Sequence, residues 1–579
     1  MGLKLFRHTG HSSLLDTQTA VLAWKRQSAI ATGWNPLGLL LVVSLWLATV
    51  CNYALWRELS RLGQLQSWGQ ITFAIGFAVI IFAGTTAVFA LLAWRWSIKP
   101  LLIFLLFAAA LGAHFMTSYS VVIDTTMMAN VMQTDPRESR DLFNLKMLGT
   151  VLLLAVLPTW WLLRQRVRSL GALRQGMLNA LFLIAACALL AMVLGVFYQN
   201  FASLMRNQTH VRFLINPLNS IYALADLAAK PLRSGPQPLT PLGTDAKLGA
   251  SYTTVTSNAA NKPPLVLLVV GETARMGNFG INGYTRPTTP ELAKLVTTER
   301  MATARNVWSC GTNTAASLPC MFSHLGKEAF ESSNARFENL LDVLQRAGLA
   351  VLWINNQSGC KGLCDRVAQA DTTAAGDPEL CKGGECFDAI MLKGLDERIA
   401  ALPAGKRAKG VVVVLHQMGG HGPAYYKRVP EAFKKFKPEC ATNALQDCTR
   451  DQVVNSYDNT IAYTDHFIAS TINWLKTKAD SAQAAMIYLA DHGESLGENN
   501  LYLHGLPYAV APDVQKRVPW ITWLSAGFAQ RSRINTTCLQ ARADERATHD
   551  NYFHSVLGLL DVKTTVYKPE LDVYAGCVK

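Results

Sequence analysis

Charge is what this chain has little of. Asp, Glu, Lys and Arg make up 16% of its 579 residues, against about 25% in an ordinary soluble domain. Half of the residues are hydrophobic, and mean hydropathy is +0.16. Those values exclude a disordered chain and fit a purely cytosolic enzyme badly. Acidic charge is scarcer than basic, 40 residues against 54, for a net charge of +14. Twelve cysteines in so long a chain exclude a small disulfide-stapled module, and CxxC pairs are missing altogether, which removes the usual zinc knuckle.

The apolar excess lies in the first third. Five stretches, roughly Leu37–Trp56, Ile71–Trp94, Leu101–Tyr119, Met147–Leu163 and Met177–Tyr198, contain no Asp, Glu, Lys or Arg. Each is long enough, or nearly so, to cross a hydrocarbon core that takes about 20 helical residues. The first is too long and starts too late to be a cleaved signal. Basic residues then set the orientation. Lys4, Arg7, Lys25 and Arg26 precede the first stretch, Arg95 and Lys99 follow the second, and Arg164, Arg166, Arg168 and Arg174 follow the fourth. The Tyr119–Lys146 loop carries Asp124, Asp135, Glu138 and Asp141 instead. The positive side is cytoplasmic, so everything after Tyr198 is expected outside. This topology accounts for part of the basic charge, and no nucleic-acid partner is expected.

Cysteine placement tests that topology. Cys51 and Cys187 lie inside apolar stretches, and the other ten all follow the fifth. Cys310/Cys320, Cys360/Cys364, Cys381/Cys386 and Cys440/Cys448 form close pairs, with Cys538 and Cys577 left over. An even set confined to the outer side reads as disulfides in an oxidising compartment; whether Cys538 and Cys577 pair is open. The chain therefore divides into a cytoplasmic segment over 1–35, a five-helix membrane domain over 36–199, an amphipathic bridge and linker over 200–264, and a periplasmic domain over 265–579.

In the last part, short apolar runs alternate with helical patterns: Leu265–Val270, Leu349–Ile354, Val411–Leu415 and Ala485–Leu489, separated by Asn339–Ala347 and Asn455–Lys476 among others. Doubly buried strands between helices imply an α/β domain with a mainly parallel central sheet, whose active residues gather beyond the carboxyl ends of strands. There the sequence places Gly271-Glu272-Thr273, then His416 to Pro423 with His421, then Asp491-His492-Gly493-Glu494, and further on His504. Carboxylates and imidazoles delivered jointly at strand ends are a metal-ligand set. A loop entering a helix, Trp308 to Cys320, offers Ser309, Thr312, Thr314 and Ser317 as nucleophiles. Spacing alone does not choose among them.

These blocks carry a resemblance. GETARMGNFGINGYTRPTTP, SCGTNTAASLPCMFSHLG, LHQMGGHGPAYYKR, VVNSYDNTIAYTD, DHGESLGENNLYLHG and the membrane loop TTMMANVMQTDP resemble the lipid A phosphoethanolamine transferases, which include the mobile colistin-resistance enzymes. The resemblance implies an alkaline-phosphatase/sulfatase-like catalytic domain and one tightly bound zinc, with a second in some members. It implies Glu272, Thr314, Asp491 and His492 as zinc ligands, Thr314 as nucleophile, and His421 and His504 as catalytic and substrate-side groups. Thr312, Asn356 and Lys361 correspond to substrate-binding positions. The implied reaction moves phosphoethanolamine from phosphatidylethanolamine to a phosphate of lipid A through a phosphoethanolamine-threonine intermediate, lowering surface negative charge and conferring polymyxin resistance. An acceptor in the lipopolysaccharide core, or a membrane-anchored hydrolase of the same superfamily, is the alternative. The expected setting is the Gram-negative inner membrane, among membrane lipids, as a monomer.

Overall fold

The computed structural model describes residues 33–134, 136–235, 237–252 and 262–579. Lys4, Arg7, Lys25, Arg26 and Asp135, used above for orientation, lie outside them, as does part of the stretch read as linker. The chain divides into two compact units, Met1–Thr117 with Leu145–Ile221 and Ser118–Asn144 with Tyr222–Lys579.

In the first unit, five helices among the described residues are long and apolar enough to cross a membrane: Pro36–Arg61, Trp68–Ala90, Ile98–Ser118, Leu145–Arg164 and Ala172–Val196. Their starts are set locally. The Asn35 side chain accepts from the N–H of Leu37, and Ser67 with Gln70 forms a capping box. Leu39, Leu40 and Leu47 pack with Leu102, Leu105 and Leu106 at the centre of this unit. The fourth helix contains a π-turn over Leu152–Val156, just before Pro158. Proline has no N–H for the carbonyl four residues back. That carbonyl, of Leu154, accepts from the Trp46 indole at 3.3 Å instead, which satisfies it within an apolar helix.

The second unit is built on an eight-stranded sheet. In chain order its strands are β1 (Pro264–Gly271), β2 (Met301–Trp308), β3 (Ala350–Asn355), β4 (Ala368–Asp371), β5 (Val411–His416), β6 (Gln483–Ala490), β7 (Arg517–Leu524) and β8 (Ala547–Thr548). Their spatial order is β8-β2-β7-β6-β1-β5-β3-β4, and β7 alone is antiparallel to its neighbours. Strands β1, β3, β5 and β6 are buried along their whole length, as continuous apolar runs require. The longest helix of this unit begins at Arg450 rather than Asn455, because Thr449 and Gln452 form a capping box that starts six residues upstream of the apolar pattern.

Two stretches depart from their composition. Residues 237–252, Gly-, Thr- and Pro-rich, are pinned to the sheet domain by short pairings of Leu239–Thr240 with Arg336–Phe337 and Lys247–Leu248 with Val562–Lys563. The loop between the third and fourth apolar helices belongs to the second unit. Its helices Thr125–Gln133 and Pro136–Leu142 are held there by Tyr119 Oη to Asn443 O at 3.2 Å, Ser120 Oγ to Asn500 O at 3.0 Å, and Asn443 Nδ2 to Asp141 O at 2.7 Å.

The outer cysteines are all bonded, as Cys310–Cys320, Cys360–Cys364, Cys381–Cys386, Cys440–Cys448 and Cys538–Cys577. The Cys440–Cys448 bridge closes the loop that leads into the long helix Arg450–Lys476. Cys440 N donates to Ser456 Oγ of that helix at 2.7 Å, and Cys448 N donates to Leu445 O at 3.1 Å. Cys440 is buried, whereas Cys448 is half-buried, two residues before the helix starts.

Candidate active site

Three strands end at one point. β1 delivers Glu272, β6 delivers Asp491 and His492, and β2 leads into the loop before helix Thr314–Met321. Asn313 caps that helix by accepting from Ala316 N at 2.9 Å, and Gly311 packs so close to it that a Cβ would meet the Ala316 Cβ at 2.8 Å. Cys310–Cys320 ties the loop to the helix end.

The hydrogen bonds separate the four hydroxyls that spacing left open. Ser309 donates to Gly311 O, Thr312 to Leu506 O, and Ser317 to Asp491 O. Thr314 Oγ1 faces the cluster instead, 3.1 Å from Glu272 Oε2 and 3.5 Å from His492 Nε2. His492 Nε2 lies 3.5 Å from Glu272 Oε1 and 3.4 Å from Asp491 Oδ2. His492 Nδ1 meets the Gly493 carbonyl at 2.9 Å. A carbonyl only accepts, so Nδ1 carries the proton and Nε2 turns its lone pair to the cluster. Asp491 Oδ1 accepts from two backbone N–H groups, while its buried Oδ2 has no partner.

Four acceptors thus converge with no donor among them except a hydroxyl. That is the donor set of a cation, and the spacing fits a tetrahedral one. Zinc bonds of about 2.0–2.1 Å imply ligand-to-ligand edges of about 3.3–3.4 Å, and the separations here are 3.1 to 3.5 Å. Electrostatics agree. Burial, then the Asp491 charge, push the Glu272 carboxyl well up, because two buried carboxylates without a counter-charge do not both ionise. Burial pushes His492 down to about 4, leaving a neutral imidazole.

Beside the cluster, the His504 ring lies 4.2 Å from that of His492 and 5.5 Å from that of His421. His504 Nδ1 is 2.9 Å from Glu494 Oε2. Burial pushes His504 down to about 3 and Glu494 up to about 8. Lys361 donates to Ser358 Oγ at 3.1 Å and to Gln133 O of the membrane loop at 3.4 Å. Asn356 is tied away from the cluster, donating to Cys386 O and Asp388 Oδ1. Its neighbour Gln357, which sequence reasoning passed over, donates to Glu272 Oε2 at 3.3 Å. Glu138 is, in the sequence, only a charge in the membrane loop. It is buried and acts electrostatically on both Glu272 and His504. His416 is buried beside Asn355 at 3.1 Å and is not part of the cluster.

The cysteines singled out in the sequence serve the site only as covalent ties. Their sulfurs are spent in disulfides, which leaves no thiolate to bind a metal. Cys448 is half-buried, bonded to Cys440, and gives the acceptor cluster no group.

Comparison with known proteins decides the family. The phosphoethanolamine transferase EptA/EptB family matches residues 81–232, and the sulfatase family matches residues 264–562. The phosphoethanolamine transferase EptA of Escherichia coli K12 is 37% identical over 549 residues, covering 94% of this chain and 97% of that protein. The phosphatidylethanolamine transferase Mcr-2 of Escherichia coli is 38% identical, covering 93% and 97%. The integral membrane lipooligosaccharide phosphoethanolamine transferase A of Neisseria meningitidis superposes with a TM-score of 0.85 at 36% identity, covering 94% and 99%. The chain belongs to the phosphoethanolamine transferase family. The sulfatase-like sheet domain and the apolar helices are those of this family. This transferase is an inner-membrane protein with its C-terminal domain in the periplasm. The cluster of Glu272, Thr314, Asp491 and His492 sits in its sulfatase-like part.

Proposed function

We propose that this transferase moves phosphoethanolamine from phosphatidylethanolamine to a phosphate of lipid A, with zinc held by Glu272, Thr314, Asp491 and His492. The observation that carries the reading is the single hydroxyl, of four in the loop, that faces the acceptor cluster. Zinc bound there would lower the pKa of that hydroxyl and offset charge on the phosphoryl oxygens.

The chain supplies the rest. Thr314 opens a helix, where unpaired N–H groups and the positive helix end favour an anionic oxygen and a bound phosphate. Its Oγ1 forms a bond to the donor phosphorus as the phosphorus–oxygen bond to diacylglycerol breaks. A phosphoethanolamine-threonine ester remains. A phosphate oxygen of lipid A then attacks the same phosphorus and Thr314 Oγ1 leaves, so one difficult displacement becomes two. Diacylglycerol departs with a proton and the acceptor gives one up. His421 and the His504–Glu494 pair stand beside the cluster to move it. Both substrates carry acyl chains in the bilayer, which gives the apolar helices their purpose. The added ammonium group lowers the negative charge of the surface and weakens attraction of cationic peptides such as polymyxin.

The test is lipid A from a polymyxin-sensitive host expressing the chain, measured by mass spectrometry beside a Thr314→Ala control. A phosphoethanolamine increment that disappears in the control, with transfer down by a factor on the order of a thousand or more, is the expected result. A folded, zinc-loaded protein that leaves lipid A unmodified would overturn the acceptor and redirect the search to core phosphates or to hydrolysis.

A further inference from the structure

A cavity of about 450 Å³ opens in the catalytic unit where helix Pro136–Leu142, the disulfide-closed hairpin Cys381–Cys386 and the segment after His421 meet. Pockets of this volume hold small ligands or headgroups. Its walls are locked by a buried guanidinium. Arg428 donates to Asp141 Oδ2 at 2.7 Å, pairs with Glu385, and donates through Nε to the His421 carbonyl at 3.1 Å. The cavity and the site histidine are therefore joined through one side chain.

The carboxylates of the cavity are already spent. Asp141 pairs with Arg428 and Lys427, Glu385 with Arg428, and Glu431 with Lys434 at 2.7 Å. Two lining cations remain. Arg140 and Lys382 are exposed on the cavity rim, and neither makes an ion pair with a carboxylate among the described residues. Half-buried Phe387 and Tyr426 supply aromatic faces beside them. Cations outside any ion pair, on a rim that also carries aromatic rings, suit an anion borne on a ring with both polar edges and an apolar face.

We infer that this cavity seats the phosphorylated saccharide headgroup of the acceptor lipid, with Arg140 and Lys382 holding a phosphate other than the one being modified. The inference rests on the lipid A reading above and adds where the acceptor binds. The donor does not suit the cavity, because its headgroup brings an ammonium that these two cations repel.

The test uses the full-length, zinc-loaded protein in lipid nanodiscs and an Arg140→Ala/Lys382→Ala variant. The donor half-reaction is read without acceptor, as diacylglycerol release and labelling of Thr314. Transfer is read with lipid A bearing two phosphates and with lipid A bearing one. The variant is expected to raise the acceptor KM about tenfold with the two-phosphate lipid, as loss of rim charges does, and to leave labelling of Thr314 near wild type. With the one-phosphate lipid, variant and wild type converge. An unchanged acceptor KM in the variant overturns the cavity, as does equal loss of both half-reactions. Competition by millimolar inorganic phosphate that vanishes in the variant while the acceptor KM stays fixed would assign the cavity to a free anion and overturn the lipid. Failure of the lipid A reading shows elsewhere: wild type then labels Thr314 and passes nothing to either lipid A.

Discussion

Each unit buries a cluster of polar side chains, and the two clusters end differently. In the membrane unit Asn52 Nδ2 donates to Leu47 O and Asn216 O, its Oδ1 accepts from Asn216 N, and Asn216 Nδ2 donates to Cys51 O and Ala109 O. Every amide donor there meets a carbonyl or amide acceptor, and the acceptor left over, the buried Asn216 Oδ1, is a single atom without a partner. In the catalytic unit Glu272, Thr314, Asp491 and His492 turn acceptors toward one another, and the buried Asp491 Oδ2 has no partner. Buried polar groups are ordinarily satisfied. A cluster in which amide donors meet acceptors is architecture, and one in which several acceptors converge on each other has the makeup of a cation site.

The largest expected effect breaks the open cluster. Asp491→Asn keeps the shape and replaces one converging acceptor with an amide. Bound zinc per chain, read by elemental analysis, is expected to fall to near zero, and lipid A modification by roughly a hundredfold or more. Retained zinc with lost activity would mean that Asp491 serves the chemistry without holding the ion.

Much of this contrast was legible in the sequence, for reasons that also mark where it stopped. Uncharged stretches of about 20 residues have one common physical use, so the five apolar helices followed directly. Continuous apolar runs gave β1, β3, β5 and β6 nearly to the residue, and the strand-end rule pointed to Glu272, Asp491 and His492. Choosing Thr314 over Ser309, Thr312 and Ser317 needed the family resemblance, because all four hydroxyls share one short loop and differ only in where each points. Glu138 was out of reach. It lies more than 130 residues before Glu272, in a loop whose charges read as topology, and nothing local shows that the loop packs on the sheet domain. Gln357 is likewise invisible, since a lone amide has no spacing signature. The Gly-, Thr- and Pro-rich strap over 237–252 misleads because composition reports weak intrinsic structure and not the partners, such as Asp561 and Thr564, that pin it.

A buried carboxylate in the catalytic unit that does close its contacts sharpens the comparison. Asp465 accepts from the backbone N–H groups of Glu291 and Leu292 at 3.0 and 2.8 Å, and burial pushes it up to about 7. Its unfolded value is about 3.9. Between those values folded Asp465 binds a proton that the unfolded chain has lost, so its contribution to stability falls as pH rises from about 4 to about 7 and is then constant. Asp465→Asn, which mimics the protonated form, is expected to remove on the order of 4 kcal/mol of that pH dependence while leaving zinc content and transfer unchanged. The measurement is chemical unfolding at several pH values. A change in zinc content would break the claim that closure, and not burial, separates architecture from chemistry.

The smallest expected effect tests the amide cluster in the membrane unit. Asn216→Leu removes the amide that spans Cys51 O and Ala109 O and leaves those carbonyls with their own helices. Polar contacts within membrane helices contribute modestly, because the unfolded helices also find partners, so a loss of about 1 kcal/mol is expected. It should appear as a lower unfolding temperature in detergent, with kcat and bound zinc at wild-type values. If Asn216 instead proved to be needed for turnover in a variant of wild-type stability, a cluster of paired amides would be carrying function. Hydrogen-bond closure would then no longer tell the two clusters apart, and the argument for a cation at Glu272, Asp491 and His492 would stand on ligand geometry alone.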